Sequence, residues 1–216
     1  MAAVVSSVDY DEVCSYVERL VGDGSKALAR VYNESAAMKE HGVFSIDAPR
    51  GRFLELITRI RSPKSILEIG PGIGYSALWF LKGASPTTTL DVIEVNSHVA
   101  REFGKVMARE NCRNKIKIHR GAALQVLAKT KKIFDCIFID ADKNEYPDYL
   151  RHSLRLTRRG SVILADNMFW SDILSGQKQA DQQGVREYTE MIFKDKRLSS
   201  LIVPLGDGLA ISFRVK

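Results

Sequence analysis

The chain has 216 residues, 45% of them hydrophobic and 27% charged, with a formal net charge of +6 and a pI near 9.2. A single globular domain with a sizeable core fits that length and composition, whereas no apolar stretch approaches the roughly 18 residues needed to span a bilayer. The opening "MAAVVSSVDYDEV" lacks the basic region and long apolar core of a secretory signal, and Cys14, Cys112 and Cys136 show no C-x-x-C or zinc spacing, so the expected location is the reducing cytoplasm.

The first sixty residues read as helices. Val13, Val17 and Leu20 share a face of a first segment, and Leu28, Val31 and Tyr32 share one of a second, which Gly42 is expected to terminate. A third carries Phe53, Leu56, Ile57 and Ile60 at i, i+3, i+4 and i+7, with Asp47 as its cap and Pro63 as its stop. From residue 65 the pattern alternates. Apolar β-type runs at 65–69, 89–95, 116–119, 134–140 and 161–165 are separated by amphipathic segments at 75–82, 98–110, 122–129 and 144–155. Strands alternating with helices of this length predict a parallel sheet with helices on both faces. The ending differs: a helix at 185–194 leads to runs at 198–204 and 209–214, joined through "LGDG" as a hairpin. The expected architecture is therefore one α/β domain over residues 1–216. Helices occupy 1–62, and an α/β core with a seven-stranded mixed sheet, one strand antiparallel, occupies 63–216.

The stretch "LEIGPGIGYS" at 67–76 places Gly70, Gly72 and Gly74 at every second position directly after the first strand. That loop belongs at the C-terminal edge of the strands, where open α/β sheets bind ligands. Gly70 permits the turn, Gly72 lets the backbone approach a ligand, and Gly74 allows close packing as the next helix starts. The second strand ends "DVIEV", and Glu94 there can accept both hydroxyls of an adenosine ribose. NAD and S-adenosylmethionine (SAM) both contain an adenosine. G-x-G-x-G is one residue shorter than the dinucleotide fingerprint and lacks the helix start that cradles a pyrophosphate. Glu68, two residues before Gly70, would also sit badly beside a diphosphate. Both features favour SAM.

The fourth strand ends "FIDADKNEY" and the fifth "LADNMFW". Neighbouring parallel strands lie about 4.8 Å apart. If these two pair, Asp140 and the Asp166-Asn167 pair meet at the edge that carries the glycine loop. Three oxygen donors with no histidine or cysteine suit Mg²⁺, or Ca²⁺ or Mn²⁺. Lys143 follows Asp140 by three residues at a helix start. The helix dipole and a nearby cation disfavour its ammonium form, which suits a lysine that takes a proton from a substrate hydroxyl.

Taken together, "EIGPGIGYS", "IEV", "IDADKNEY", "ADN" and "PLGDGLAISFR" resemble the cation-dependent O-methyltransferases. That family includes catechol and caffeoyl-CoA O-methyltransferases and their bacterial relatives, and the resemblance runs from about residue 35 to the end. It implies a Rossmann-like SAM-dependent methyltransferase fold in which Asp140, Asp166 and Asn167 bind Mg²⁺ and Lys143 acts as base. It also implies that Glu94 holds the ribose, Ser76 the methionine carboxylate, and the loop near Ile46 the same end of the cofactor. Gly121 and Ala122 would border the adenine, and Glu68, Gly70, Gly72, Gly74, Val95 and Asp140 complete the expected cofactor site. The animal catechol enzyme has His-Trp between its first metal Asp and the Lys. This chain has Ala141-Asp142, as the plant and bacterial branch does, which leaves Phe44 and Trp170 as candidate aromatic walls. The implied substrate is a catechol-type small molecule, and the implied assembly a homodimer through the N-terminal helices and sheet edge.

Some bacterial relatives of that family methylate a hydroxylated wobble uridine in tRNA, and a pI of 9.2 fits a polyanion. The placement of charge argues the other way. Arg61, Lys64, Arg113, Lys115, Lys129, Lys131, Lys132, Arg158 and Arg159 all precede strands, opposite the edge expected to carry Glu94, Asp140, Asp142, Glu145, Asp148, Asp166 and Asp172. Backbone neutralisation dominates nucleic-acid binding, so a small molecule is the favoured partner. A nicotinamide oxidoreductase and an idle SAM-binding protein are the remaining alternatives.

Overall fold

The computed structural model describes residues 9–22, 24–169 and 182–216. Among them no helix is long and apolar enough to cross a membrane. Seven strands form one sheet: β1 (Ser65–Ile69), β2 (Thr89–Glu94), β3 (Lys115–Arg120), β4 (Cys136–Ile139), β5 (Val162–Ala165), β6 (Leu198–Val203) and β7 (Leu209–Arg214). Their order is β3-β2-β1-β4-β5-β7-β6. The first five are parallel, and β7 inserts antiparallel between β5 and β6. The short turn "LGDG" allows only such a fold-back, so the mixed sheet with a terminal hairpin is as expected.

Among the described residues, eight α-helices accompany the sheet: α1 (Tyr10–Val21), α2 (Lys26–Ala36), α3 (Ala48–Arg61), α4 (Tyr75–Gly83), α5 (Ser97–Arg109), α6 (Ala123–Lys129), α7 (Tyr146–Arg155) and α8 (Gln183–Lys194). Side chains alternate across the strands and so feed two cores. Ile66, Val92, Phe138 and Leu164 pack with α2, α3, α4 and α5 on one side. Leu67, Ile69, Ile137 and Ile139 pack with α6, α7 and α8 on the other.

Two expectations for the N-terminal helices change. The second helix stops at Ala36: the Ala37 N–H is shared between Asn33 O at 3.4 Å and Glu34 O at 3.2 Å, and the Met38 N–H bonds only three residues back, to Ser35 O at 2.9 Å. Gly42, at φ +76°, instead closes a separate 3₁₀ turn over Lys39–His41. The third helix starts at its Asp47 cap, whose Oδ1 accepts from Arg50 N at 2.8 Å, and stops one residue before Pro63 at Ser62. Its fully buried face, however, is Gly51, Leu54, Glu55 and Thr58; of the stripe of Phe53, Leu56, Ile57 and Ile60, only Phe53 and Ile57 pack, half-buried, against the core. The partner dictates this. The Trp79 indole of α4 lies on Gly51, where a Cβ would overlap the ring, and Gly83 lies against the Glu55 carbonyl. Glu55 is buried with its charge held by Arg52 at 2.6 Å and Arg59 at 2.9 Å. Leu56 and Ile60 stay 49% and 75% exposed.

Candidate active site

The C-terminal edge of the sheet gathers the site. Ile69 pairs with Ile139 and Ile139 with Ala165, so the next residues, Gly70, Asp140 and Asp166, stand side by side. Backbone bonds continue that register: Asp140 N donates to Ile69 O at 2.9 Å, and Asp166 N to Ile139 O at 3.0 Å. Gly70, at φ +85°, is required there, because a Cβ would overlap the Asp140 carbonyl oxygen. Gly74, at φ +106°, lets the loop seat on Phe103 and Met107 of α5, which is the packing role expected of it.

A cleft of about 600 Å³ opens at this edge. Of the expected site residues, Phe44, Ile46, Gly70, Gly72, Glu94, Val95, Asp140, Lys143, Asp166 and Asn167 line it. Five others do not form its walls. Glu68 lies fully buried behind the loop, where Ser76 Oγ donates to it. Burial, with Asp140 and Glu94 nearby, pushes the Glu68 carboxyl up to about 8. Gly74 is spent on α5, and Gly121 with Ala122 lies beside Glu94 through the bond from Gly121 N to Glu94 O at 3.0 Å. Trp170 and Asp172 lie outside the described residues. Phe44 stands at the rim, 71% exposed.

Glu94 ends β2 in a buried position and accepts from Asn96 N at 2.8 Å. Burial raises its carboxyl above the ordinary range, while backbone N–H groups of Asn96, Val95 and Gly72 pull it back. Across the cleft, Lys143 Nζ lies 3.0 Å from Asp140 Oδ1 and 2.8 Å from the Tyr146 hydroxyl. That hydroxyl donates to Asp166 O at 3.0 Å, so one buried tyrosine ties the lysine to both strand ends. Lys143 begins a 3₁₀ turn over Lys143–Glu145 rather than the α-helix expected at 144, and α7 follows directly. The Asn144 N–H bonds to Asp142 Oδ1 at 3.0 Å, and this capping tightens the first turn. Asn167 takes a left-handed φ of +59°, a conformation asparagine tolerates better than most residues.

Three further side chains meet at this edge without having been singled out in the sequence. Arg50 Nη1 reaches Asp166 Oδ2 at 2.8 Å. Asp207, in the hairpin turn, accepts from Asn167 Nδ2 at 3.3 Å. Tyr146, which closes the "IDADKNEY" stretch, is the third, with its hydroxyl between Lys143 and Asp166 O. Asp166 is 1% exposed, and burial and the neighbouring Asp140 push its carboxyl up against the opposing pull of Arg50 and Lys143. Among the described residues, no three His, Cys, Asp or Glu side chains group as metal ligands. An oxygen site here needs the Asn167 amide as its third arm.

The fold and cleft define a class, the α/β methyltransferases with a glycine loop after β1 and an acidic residue ending β2. Residues 19–215 match the O-methyltransferase family profile, and the chain belongs to that family. Its enzyme class is that of the SAM-dependent O-methyltransferases. It is 28% identical over 214 residues to a catechol O-methyltransferase of Niastella koreensis, covering 94% of this chain and 96% of that one. Among solved structures, a Bacillus cereus O-methyltransferase in complex with SAH superposes with a TM-score of 0.84 at 28% identity, covering 94% of this chain and 97% of that one. TomG of Streptomyces achromogenes, involved in tomaymycin synthesis and in complex with SAM, gives 0.82 at 27%, covering 95% and 96%.

Proposed function

We propose that the protein methylates one of two adjacent hydroxyls on a catechol-type small molecule, using SAM and a divalent cation such as Mg²⁺, Ca²⁺ or Mn²⁺. The observation that carries this reading is the convergence of Asp140, Asp166 and Asn167 on the cleft wall that also holds Lys143. Three oxygen donors fit a hard cation. The charges fit too: among the described residues, Asp47, Asp166 and Asp207 pair with Arg50 in this corner, and Asp140 with Lys143.

In this reading Asp140, Asp166 and Asn167 hold the cation. Glu94 accepts from the ribose hydroxyls, with Val95 and the Gly121-Ala122 segment beside it toward the adenine. Gly70, Gly72 and Ile46 shape the cofactor channel, and Glu68, Ser76 and Gly74 support the loop from behind, the Ser76 hydroxyl being bonded to Glu68. When bound, the cation makes a substrate hydroxyl more acidic and SAM supplies an electrophilic methyl group. Lys143 accepts the hydroxyl proton, held in place by Asp140 and Tyr146. Phe44 covers the aromatic ring at the rim. The cleft walls carry Glu94, Asp140, Asp142, Asp166 and Asp207 against Arg50 and Lys143, which favours a small phenol over tRNA. The exposed Leu56 and Ile60 support a homodimer through the N-terminal helices.

The test is turnover of caffeate or protocatechuate against matched monophenols, with and without EDTA. Only the catechols should be methylated, and only with the cation present. Equal turnover of monophenols, or full activity in EDTA after dialysis, would refute chelation.

A further inference from the structure

Asp166 already has a cation. Arg50 Nη1 lies 3.1 Å from its Oδ1 and 2.8 Å from its Oδ2, so one guanidinium nitrogen covers both oxygens. Arg50 is only 7% exposed, and the pair is buried. Two further carboxylates hold the same guanidinium. Asp47 Oδ2 is 3.2 Å from Nε, and Asp207 Oδ2 is 3.5 Å from Nη1. Neither depends on Asp166 for its position: Asp47 caps α3, and Asp207 sits in the turn between β6 and β7. Gly206 leaves the room for this arrangement, because a Cβ there would crowd both the Asp47 carboxylate and Arg50 Nε.

We infer that Arg50 is the resident counter-cation of Asp166 and the gate on the metal corner, so that a divalent cation binds only as the guanidinium moves off Asp166 onto Asp47 and Asp207. This rests on the metal-binding reading above. Two cations cannot share the same two buried oxygens without strong repulsion, since charges at contact interact far more strongly there than in water. Asp47 and Asp207 already lie within ion-pair range of the guanidinium, so the displaced charge has a place to go. Arg50 therefore weakens metal binding while keeping Asp166 paired in its absence. It also couples metal loading to the start of α3, which carries both Arg50 and its Asp47 cap.

The experiment is a Mn²⁺ titration of the cofactor-free protein, following free Mn²⁺ by electron paramagnetic resonance, for wild type and Arg50→Gln. The variant should bind Mn²⁺ tighter by roughly 10-fold or more, because a competing positive charge is gone. Mn²⁺ should also raise its melting temperature more than it raises that of wild type. Equal or weaker binding by the variant overturns the gate and leaves the metal reading standing. Absence of binding by both proteins removes the metal reading and the gate with it. Arg50→Gln leaves Asp166 without its partner, so a measurement on the wild type stands beside it. The guanidinium ¹⁵N–¹H signals of Arg50, assigned with Arg50→Lys, should move when Mg²⁺ is added. If the amides of Asp140 and Asp166 shift while those signals stay in place, the gate is wrong.

Discussion

Lys143 is held at both sides, by Asp140 at 3.0 Å and by the Tyr146 hydroxyl at 2.8 Å. A long flexible amine fixed in this way keeps one orientation toward the cleft, and orientation is what a proton acceptor needs. Replacing it by methionine keeps length and apolar stem but removes the acceptor. Positioned general bases contribute about 10²–10⁴-fold, so Lys143→Met should lower kcat by that order at neutral pH with SAM affinity little changed. Raising the pH should recover part of the loss, because the substrate hydroxyl then ionises without help. Steady-state kinetics over pH, with calorimetry of SAM binding, check both halves. A variant with wild-type kcat at pH 7 would reduce Lys143 to a neighbour of the reaction.

At the scale of elements, the site depends on how closely β1 and β4 end together. Gly70 sits at φ +85° against the Asp140 carbonyl, and the same approach sets Asp140 beside the glycine loop. In Gly70→Ala the left-handed backbone alone costs about 1–2 kcal/mol, and the overlap adds to it by pushing the two loops apart. Urea unfolding should show that loss, and activity should fall further than stability does because Asp140 moves. The α3–α4 contact illustrates the same closeness. Gly51 and Gly83 bring the helices together around Trp79, and this choice of face leaves Leu56 and Ile60 outside.

For the whole molecule, that exposed stripe and one buried acid give two measurable consequences. Ile60 is 75% exposed, so Ile60→Asp should leave the far-ultraviolet circular dichroism intact while shifting sedimentation from dimer to monomer. A wild-type protein that already sediments as a monomer would dismiss the dimer. Glu68 is fully buried, and its carboxyl is raised from the ordinary 4.5 to about 8. In the unfolded chain it ionises near 4.5, whereas in the folded protein it stays protonated until about pH 8. The folded state therefore binds the extra proton across that window, and stability falls as pH rises through it. The fall amounts to a few kcal/mol, at about 1.4 kcal/mol per pH unit. Glu68→Gln stays neutral, so its melting temperature should gain on that of wild type from pH 5 to pH 8 and then run parallel. Melting curves in a pH series give the comparison.

The strands, the glycine loop and the strand-end positions of Glu94, Asp140, Asp166 and Asn167 were legible in the chain itself. Each depends on a local pattern: an apolar run of period two, a left-handed turn that only glycine enters cheaply, or a polar residue where a buried strand leaves the sheet. The Asp47 cap of α3 was legible for the same reason. What lay beyond local pattern was partnership. Arg50 and Asp166 are 116 residues apart, and Arg50 and Asp207 are 157 apart, so nothing near any of them announced their ion pairs. The buried face of α3 was decided by the Trp79 ring across from it, and Tyr146 gained its role only when β4, β5 and the 3₁₀ turn met around its hydroxyl. Sequence alone determined which groups reach the sheet edge, because backbone geometry and hydrophobic periodicity act over a few residues. Only the tertiary structure decided which charges hold one another there, because ion pairing acts through space.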